Sequence, residues 1–314
     1  MADYCVLYNP KAGFGKGKAN AFALLDLFPK DTLRYADLTQ IDNLPAYVDA
    51  LPSHERLIVA GGDGTLSRFV NLMDRDHFER DIFYYAAGTG NDFLHDLELP
   101  TGTKPFIINR YLEDLPKIRV GELEQRFING VGMGIDSYVI HQGGLMREKN
   151  PNKKLNYTMV ALKGLFGGYK PITATVTVDG VSATYHNVWL APTMKGRLFG
   201  GGMMPTPDQD RTDPAQTVSV AVVHKLSALR ALTIFPSLFK GEHVKHTEYV
   251  HVIKGHEVSV KVDQPLPLQI DGETVLGVTE FTVSANAPAT GNFTYAVLKG
   301  RSLYRTCPGF AIRT

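Results

Sequence analysis

Three glycine-rich segments carry the residue types from which a phosphate site can be built. Gly61-Gly62-Asp63-Gly64-Thr65 interrupts the apolar run 56–60 and continues into Leu66-Ser67-Arg68-Phe69. Glycine there permits positive φ and lets a ligand reach main-chain N–H groups that a Cβ would shield. A plain strand-to-helix turn uses the same residues, so the loop alone proves little. Asn9-Pro10-Lys11-Ala12-Gly13-Phe14-Gly15-Lys16-Gly17-Lys18 is a second anion candidate, with three lysines near a helix start. A surface loop with solvated lysines is the competing reading. The third is Gly88-Thr89-Gly90-Asn91-Asp92-Phe93, and two more motifs follow at Gly132-Met133-Gly134-Ile135-Asp136 and Asp271-Gly272-Glu273. By itself the last reads as a hairpin turn.

These segments need elements to hold them. Residues 3–8, 32–35, 56–60 and 82–86 read as strands, with helical stretches over 19–27, 41–51 and beyond Thr65. Alternating strands and helices predict a mostly parallel sheet whose ligand lies beyond the strands' carboxyl ends. All three glycine segments fall at such ends. After Pro100 the pattern changes: 117–120 and 125–130 read as neighbouring strands, 131–137 leads into a helix to Leu145, and 157–166 is apolar-rich. From Ile172 the period becomes two, with Asp179-Gly180 as the turn of a hairpin between 173–178 and 182–190. Residues 218–223, 249–253, 258–262, 268–270 and 281–285 are further strands, so this half is expected to be an antiparallel β-sandwich. The fold class is α/β with a β-sandwich second domain, the change of period near 120–130 marking the boundary.

A chain of 314 residues has room for two domains. A net charge of +1 gives no global pull toward nucleic acid, and none is expected as a partner. Cys5 and Cys307 are too few for a disulfide framework, and the N-terminus lacks a charged-then-apolar leader, so a cytoplasmic location is expected. No apolar run approaches the ~20 residues that span a bilayer, which leaves peripheral, transient membrane association.

Taken together, Asn9-Pro10 with Gly13, Gly61 to Thr65, Gly88 to Phe93, Gly132-x-Gly134-Ile135-Asp136 and Asp271-Gly272-Glu273 resemble the catalytic region of the diacylglycerol kinase and sphingosine kinase family. The resemblance is closest to soluble bacterial members and spans nearly the whole chain. NAD kinases share the Gly-Gly-Asp-Gly loop, but the segment 88–93 is a lipid-kinase feature. The resemblance implies a nucleotide-binding α/β domain of residues 1–125 with 287–314 returning to it, a lipid-substrate β-sandwich of 126–286, and an active site in the cleft between them.

It also implies an ATP-dependent lipid kinase that phosphorylates a hydroxyl of diacylglycerol or a related amphiphile. Gly61, Gly62, Asp63, Gly64 and Thr65 would carry the phosphates of ATP, with Asn9, Pro10 and Gly13 beside the nucleotide and Thr89, Gly90 and Asn91 on the other wall. Phosphoryl transfer to an alcohol needs a carboxylate to take the hydroxyl proton, and the resemblance puts that base at Asp271. Asp63, Asp92 and Asp136 would form an acidic set for Mg²⁺, Asp92 doubling as a helix N-cap. A structural cation on the sandwich is implied at Asp213, although the family usually has glycine where this chain has Pro214, and a solvated acidic loop is the competing reading. A further departure is Ser67-Arg68, where relatives commonly end a residue pair in glutamate; arginine cannot act as the acceptor.

Two surface readings complete the picture. Arg147, Lys149, Lys153 and Lys154 beside the segment 157–166 could meet anionic headgroups, against the plainer reading of a helix packed on the sandwich. His243, His246, His251 and His256 read as incidental surface residues. The partners implied are ATP and a lipid at a membrane surface, a homodimer being compatible. The alternatives are a catalytically silent lipid-binding protein of the same fold and a soluble-substrate kinase akin to NAD kinases.

Overall fold

The apolar runs of the first 110 residues pair as one five-stranded sheet. In this computed structural model, which describes residues 2–75, 78–149, 157–285, 295–296 and 304–305, the chain starts with β1 (Asp3–Tyr8), α1 (Gly17–Phe22), β2 (Thr32–Asp37), β3 (Glu55–Gly61) and α2 (Asp63–Met73). β4 (Ile82–Ala86), α3 (Asp92–Asp96) and β5 (Phe106–Ile107) follow. The strand order is β2-β1-β3-β4-β5, parallel except for β5 at the edge. β1 and β3 are buried along almost their whole length because helices cover both faces, which is why they read as continuous apolar runs. On α2, Leu66, Phe69, Val70 and Met73 fall at helical spacing and fill the core with Leu7, Val59 and Tyr84. The opposite face carries Gly64, Ser67, Arg68 and Asn71. The helix expected over 41–51 is shorter, Leu44–Asp49, because the Asn43 side chain caps it and a proline occupies its first turn.

The rest of the described chain is antiparallel. β6 (Lys117–Val120), β7 (Leu123–Arg126), β8 (Gly130–Gly134), α4 (Ile135–Lys149), α5 (Tyr157–Lys163), β9 (Ile172–Val178), β10 (Val181–Val188) and β11 (Leu190–Met194) lead to β12 (Val218–Val223) and α6 (Ala228–Ile234). β13 (Val250–Gly255), β14 (Glu257–Ile270) and β15 (Glu273–Ser284) complete it. The order β13-β12-β11-β8-β14-β15-β6-β7, with β9 and β10 joined through β14, curls into a sandwich. The expected strands 258–262 and 268–270 are one strand, β14. Its ladder to β15 shifts register between Lys261 and Leu268, where Pro265 and Pro267 remove two donors, and there the strand passes from pairing with β9 to pairing with β8. Val131, Met133, Val176, Val220, Val260 and Phe281 from both layers form the core between them.

Two local expectations fail for one reason. The period predicts one strand over 125–130 and a lead into helix over 131–137, but β7 ends at Arg126 and a new strand, β8, starts at Gly130. Between them, the N–H groups of Ile128, Asn129 and Gly130 point at the Asp271 carboxylate instead of a sheet partner. The hairpin at Asp179-Gly180 forms as expected, both residues at positive φ. The return of residues 287–314 to the first domain lies outside the described residues, apart from the short pair Tyr295–Ala296 with Tyr304–Arg305. Among the described residues no helix is long and apolar enough to cross a membrane.

Candidate active site

The three glycine segments converge because β1, β3 and β4 are neighbours whose carboxyl ends lie on one edge of the sheet. Asn20 of α1 donates to the Ala87 carbonyl at 2.8 Å, tying the first loop to the third. Within the first loop the Asn9 side chain accepts the Lys11 N–H at 3.0 Å. The second and third loops touch backbone to backbone: a Cβ on Gly88 would stand 2.3 Å from Gly62 Cα, and one on Gly62 would stand 2.9 Å from Gly88 Cα. Gly64 faces open space. α2 starts at Gly62 with no side-chain cap, so its first N–H groups are left for another acceptor. The buried Thr65 hydroxyl beside them has no hydrogen-bond partner among the described residues. Thr89 is exposed at the loop tip, and buried Asn91, at φ +54°, closes the loop by accepting the Gly88 N–H at 3.0 Å.

This packing yields a prediction. Gly88→Ala is expected to force the two loops apart and weaken binding of a nucleoside triphosphate by about a hundredfold, since sub-ångström placement is lost. Isothermal titration would measure it, and affinity within a few-fold of the parent chain would refute the coupled-loop picture.

Asp63 and Asp92 stand on either side of Gly90, and each has taken backbone donors. Asp63 accepts the N–H groups of Asp92 at 3.0 Å and Phe93 at 2.8 Å, so it is Asp63, not Asp92, that caps α3. Asp92 instead accepts Gly201 and Gly202 N–H groups at 2.8 and 2.7 Å from the sandwich loop 199–203. Burial, together with the neighbouring Asp63 charge, pushes Asp92 up to about 6 against those two donors.

Asp271 arrives from the other domain. With Gly272 it forms the two-residue turn between β14 and β15, both at positive φ, so the hairpin reading of Asp271-Gly272 holds as well. Its carboxylate accepts Ile128, Asn129 and Gly130 N–H groups at 2.8, 2.9 and 3.1 Å. The Ser67 hydroxyl, on the polar face of α2, also lies within its hydrogen-bonding reach. Burial raises the Asp271 pKa, and these donors draw it back. Asn129 joins the two halves of the site: its N–H holds Asp271 while its Nδ2 donates to Asp63 at 3.1 Å. One turn further along α2, Asn71 exchanges two hydrogen bonds with the Arg126 backbone of β7. Arg68 lies between Ser67 and Asn71 on that face and is exposed.

The matches to known proteins follow this division. Residues 3–123 match the diacylglycerol kinase catalytic domain, and residues 129–289 match the YegS C-terminal NAD kinase β-sandwich-like domain. The chain belongs to the diacylglycerol kinase family. A diacylglycerol kinase of Mycobacterium tuberculosis is 26% identical over 201 residues, covering 62% of this chain and 63% of that protein. One from Staphylococcus carnosus is 25% identical over 279 residues, covering 85% and 87%. A Bacillus anthracis diacylglycerol kinase structure shares the fold with a TM-score of 0.55 at 16% identity, over 90% of this chain and 94% of that one.

The acidic set expected for a cation is gathered only in part. Among the described residues no three His, Cys, Asp or Glu side chains stand close enough together to hold a metal ion. Asp213 spends its oxygens on the Ala215 N–H and the Thr217 hydroxyl, with Lys254 at 3.7 Å, so it shapes a turn and attracts a lysine. Asp136 is buried apart, and neither of its oxygens has a partner of good geometry, although Gln269 and the Ser137 N–H lie near. Asp63 and Asp92 remain as an adjacent pair. Two carboxylates suit a hard divalent cation that keeps several waters and shares phosphate oxygens, and the Asp92 pKa is raised first by burial and then by the Asp63 charge beside it.

The Asp136 carboxyl, pushed up to about 6 by burial, fixes a pH dependence. Its folded pKa exceeds the unfolded one, so its contribution favours the fold below about pH 4, is lost between about 4 and 6, and stays lost above. Asp136→Asn is therefore expected to stabilise this family member at pH 8 by on the order of 2–3 kcal/mol and to change little near pH 4. Urea midpoints at the two pH values test this; a variant less stable than the parent at pH 8 would contradict it.

Several residues that organise the site carry no local sequence signal. Arg211 is buried against Asp96, donating Nε to Oδ2 at 2.5 Å, Nη1 to the Ile128 carbonyl at 3.0 Å and Nη2 to Asn129 Oδ1 at 3.0 Å, with its guanidinium 4.6 Å from the Phe93 ring centroid. Asp96 also accepts the Arg197 N–H and Nε. Lys195 donates to Gln216 at 2.8 Å, and burial and the nearby Arg211 lower it to about 8. The surface reading of the histidines is corrected for His243, which is fully buried with Nε2 3.0 Å from the Pro205 carbonyl and is held down to about 4 by burial. Lys153 and Lys154 lie outside the described residues.

Proposed function

We propose that the chain is an ATP-dependent lipid kinase that transfers the terminal phosphate to a hydroxyl of diacylglycerol or a related lipid, in the cleft between the two domains. The observation that carries this reading is the meeting of Asp271, delivered by the β14–β15 turn, with Ser67 and Asn129 beside the helix whose N-terminus opens at Gly62. The uncapped N–H groups of α2 and the paired glycine loops suit the phosphates of the donor, with Asn9, Pro10 and Gly13 on one side and Thr89, Gly90 and Asn91 on the other. A divalent cation such as Mg²⁺ at Asp63 and Asp92 would offset phosphate charge. Asp271 takes the proton of the attacking hydroxyl as the new O–P bond forms and the bond to the departing diphosphate breaks, with Asn129 and the 128–130 backbone fixing the carboxylate.

Membership of a kinase family makes this a phosphotransferase reading, and the finer choices of donor and acceptor rest on the site. The deciding experiment incubates the purified chain with total lipid extract, ATP and Mg²⁺ and resolves products by mass. A new lipid heavier by one phosphate is expected. Binding of lipid without any phosphorylated product across the extract would leave the silent lipid-binding reading in its place.

A further inference from the structure

The helical layer on the sandwich carries an apolar surface that the catalytic reading does not use. α4, α5, the turn Gly164–Gly168, α6 and the turn Phe235–Lys240 pack side by side, burying Leu165, Ala231, Ile234 and Leu238 against Trp189, Leu190 and Val223 of the sheet. Those buried residues fix which way the layer faces, so what remains exposed on it points outward. That outward face holds Phe166 at 67% exposure, Leu229 at 74% and Phe239 at 56%, with Leu145 and Met159 beside them. Isolated exposed apolar residues are ordinary, but five on one contiguous layer, from segments up to 94 residues apart (239 − 145), are not. Phe166 sits on a turn bent by Gly167 at φ +117°, so it projects at the rim.

Cations frame this face. Lys163 and Lys170 flank Phe166, Arg230 follows Leu229, and Lys240 follows Phe239, all exposed, on a chain whose net charge is only +1. An apolar centre ringed by lysine and arginine matches the boundary between acyl chains and anionic headgroups. It does not match a second copy of itself, whose own cations would meet these. α4 links the face to the site: it begins directly after β8, whose Gly130 N–H holds Asp271, and carries Leu145 about 15 Å along its axis from that start.

We infer that the layer formed by α5, α6 and their following turns is a docking face for an anionic lipid bilayer, with Phe166, Leu229 and Phe239 entering the interface and Lys163, Arg230 and Lys240 on the headgroups. The inference rests on the lipid-kinase reading above and adds where the protein meets its substrate. It assigns this role to α6, a segment in which sequence reading found no signal.

Co-sedimentation without nucleotide tests it, using phosphatidylcholine vesicles with and without phosphatidylglycerol. Binding to the anionic vesicles, weakened by salt, is expected, with Leu229→Asp/Phe239→Asp and Arg230→Glu/Lys240→Glu each losing about tenfold or more. Melting temperatures and nucleotide affinity should stay at the parent values, since these side chains face outward. Failure of the parent chain to bind, or unchanged binding by both variants, overturns the docking face. A parent that elutes as a dimer, with variants that elute as monomers and no vesicle binding, assigns the surface to a second copy and also overturns it. A chain that binds vesicles through this face yet phosphorylates no lipid would instead overturn the kinase reading and leave the face standing.

Discussion

Asp271→Asn is expected to lower phosphoryl transfer by about 10²–10⁴-fold while nucleotide and lipid binding stay within a few-fold of the parent. The carboxylate is fixed by three N–H donors from one short segment and reached by Ser67, so its position is set and its proton acceptance is what asparagine removes. The amide keeps one acceptor oxygen for Asn129 and Gly130 but turns an NH₂ toward the Ile128 N–H, which costs about 1–3 kcal/mol of stability. Circular dichroism melts and ligand titrations must therefore accompany the kinetics. Turnover within tenfold of the parent would remove Asp271 from the chemistry. Ser67→Ala, which takes away one donor, is expected to cost much less than Asp271→Asn.

The largest loss of stability is expected at Asp96, which reaches the site through Arg211. Asp96 and Arg211 form a nearly solvent-free ion pair, and Arg211 bonds onward to Ile128 and to Asn129 in the middle of the site. Asp96→Ala strands a buried guanidinium, a change that costs about 3–5 kcal/mol. Because Arg211 holds Asn129, which touches both Asp63 and Asp271, activity should fall at temperatures where the variant is still folded. Adding Arg211→Met should recover part of the stability but not the activity, since the stray charge goes and the support of Asn129 does not return. Urea denaturation of the two singles and the double measures the coupling; additive effects would show that the pair is not acting as one unit.

Much of the fold was legible from period and punctuation. The parallel sheet followed from apolar runs alternating with helical stretches, and the sandwich from the period of two after Ile172. The glycine loops could be placed at strand ends because a strand followed by glycines and then an amphipathic run is a local pattern. Errors came where a long-range contact overruled local preference: Ile128 and Asn129 abandon a plausible strand to serve Asp271, and Pro265 with Pro267 bend one strand into two apparent ones. Asp213 and Asp136 were matched to motifs by residue type. The structure gives the first a turn to stabilise and leaves the second without a partner of good geometry.

The sequence by itself determined most strands of the α/β sheet and the period-two strands of the sandwich, that three glycine loops share one edge of the α/β sheet, and that an acid precedes glycine at residue 271. All of these depend on neighbours within a few residues, where backbone conformation and side-chain period are decided. Only the tertiary structure decided that Asn129 bridges Asp63 and Asp271, that Arg211 locks to Asp96, that Asp92 clasps the Gly201 loop, and that α6 shares an outward face with Phe166. Each of these contacts joins residues at least 60 positions apart, and burial strengthens such pairings without leaving any periodic trace along the chain.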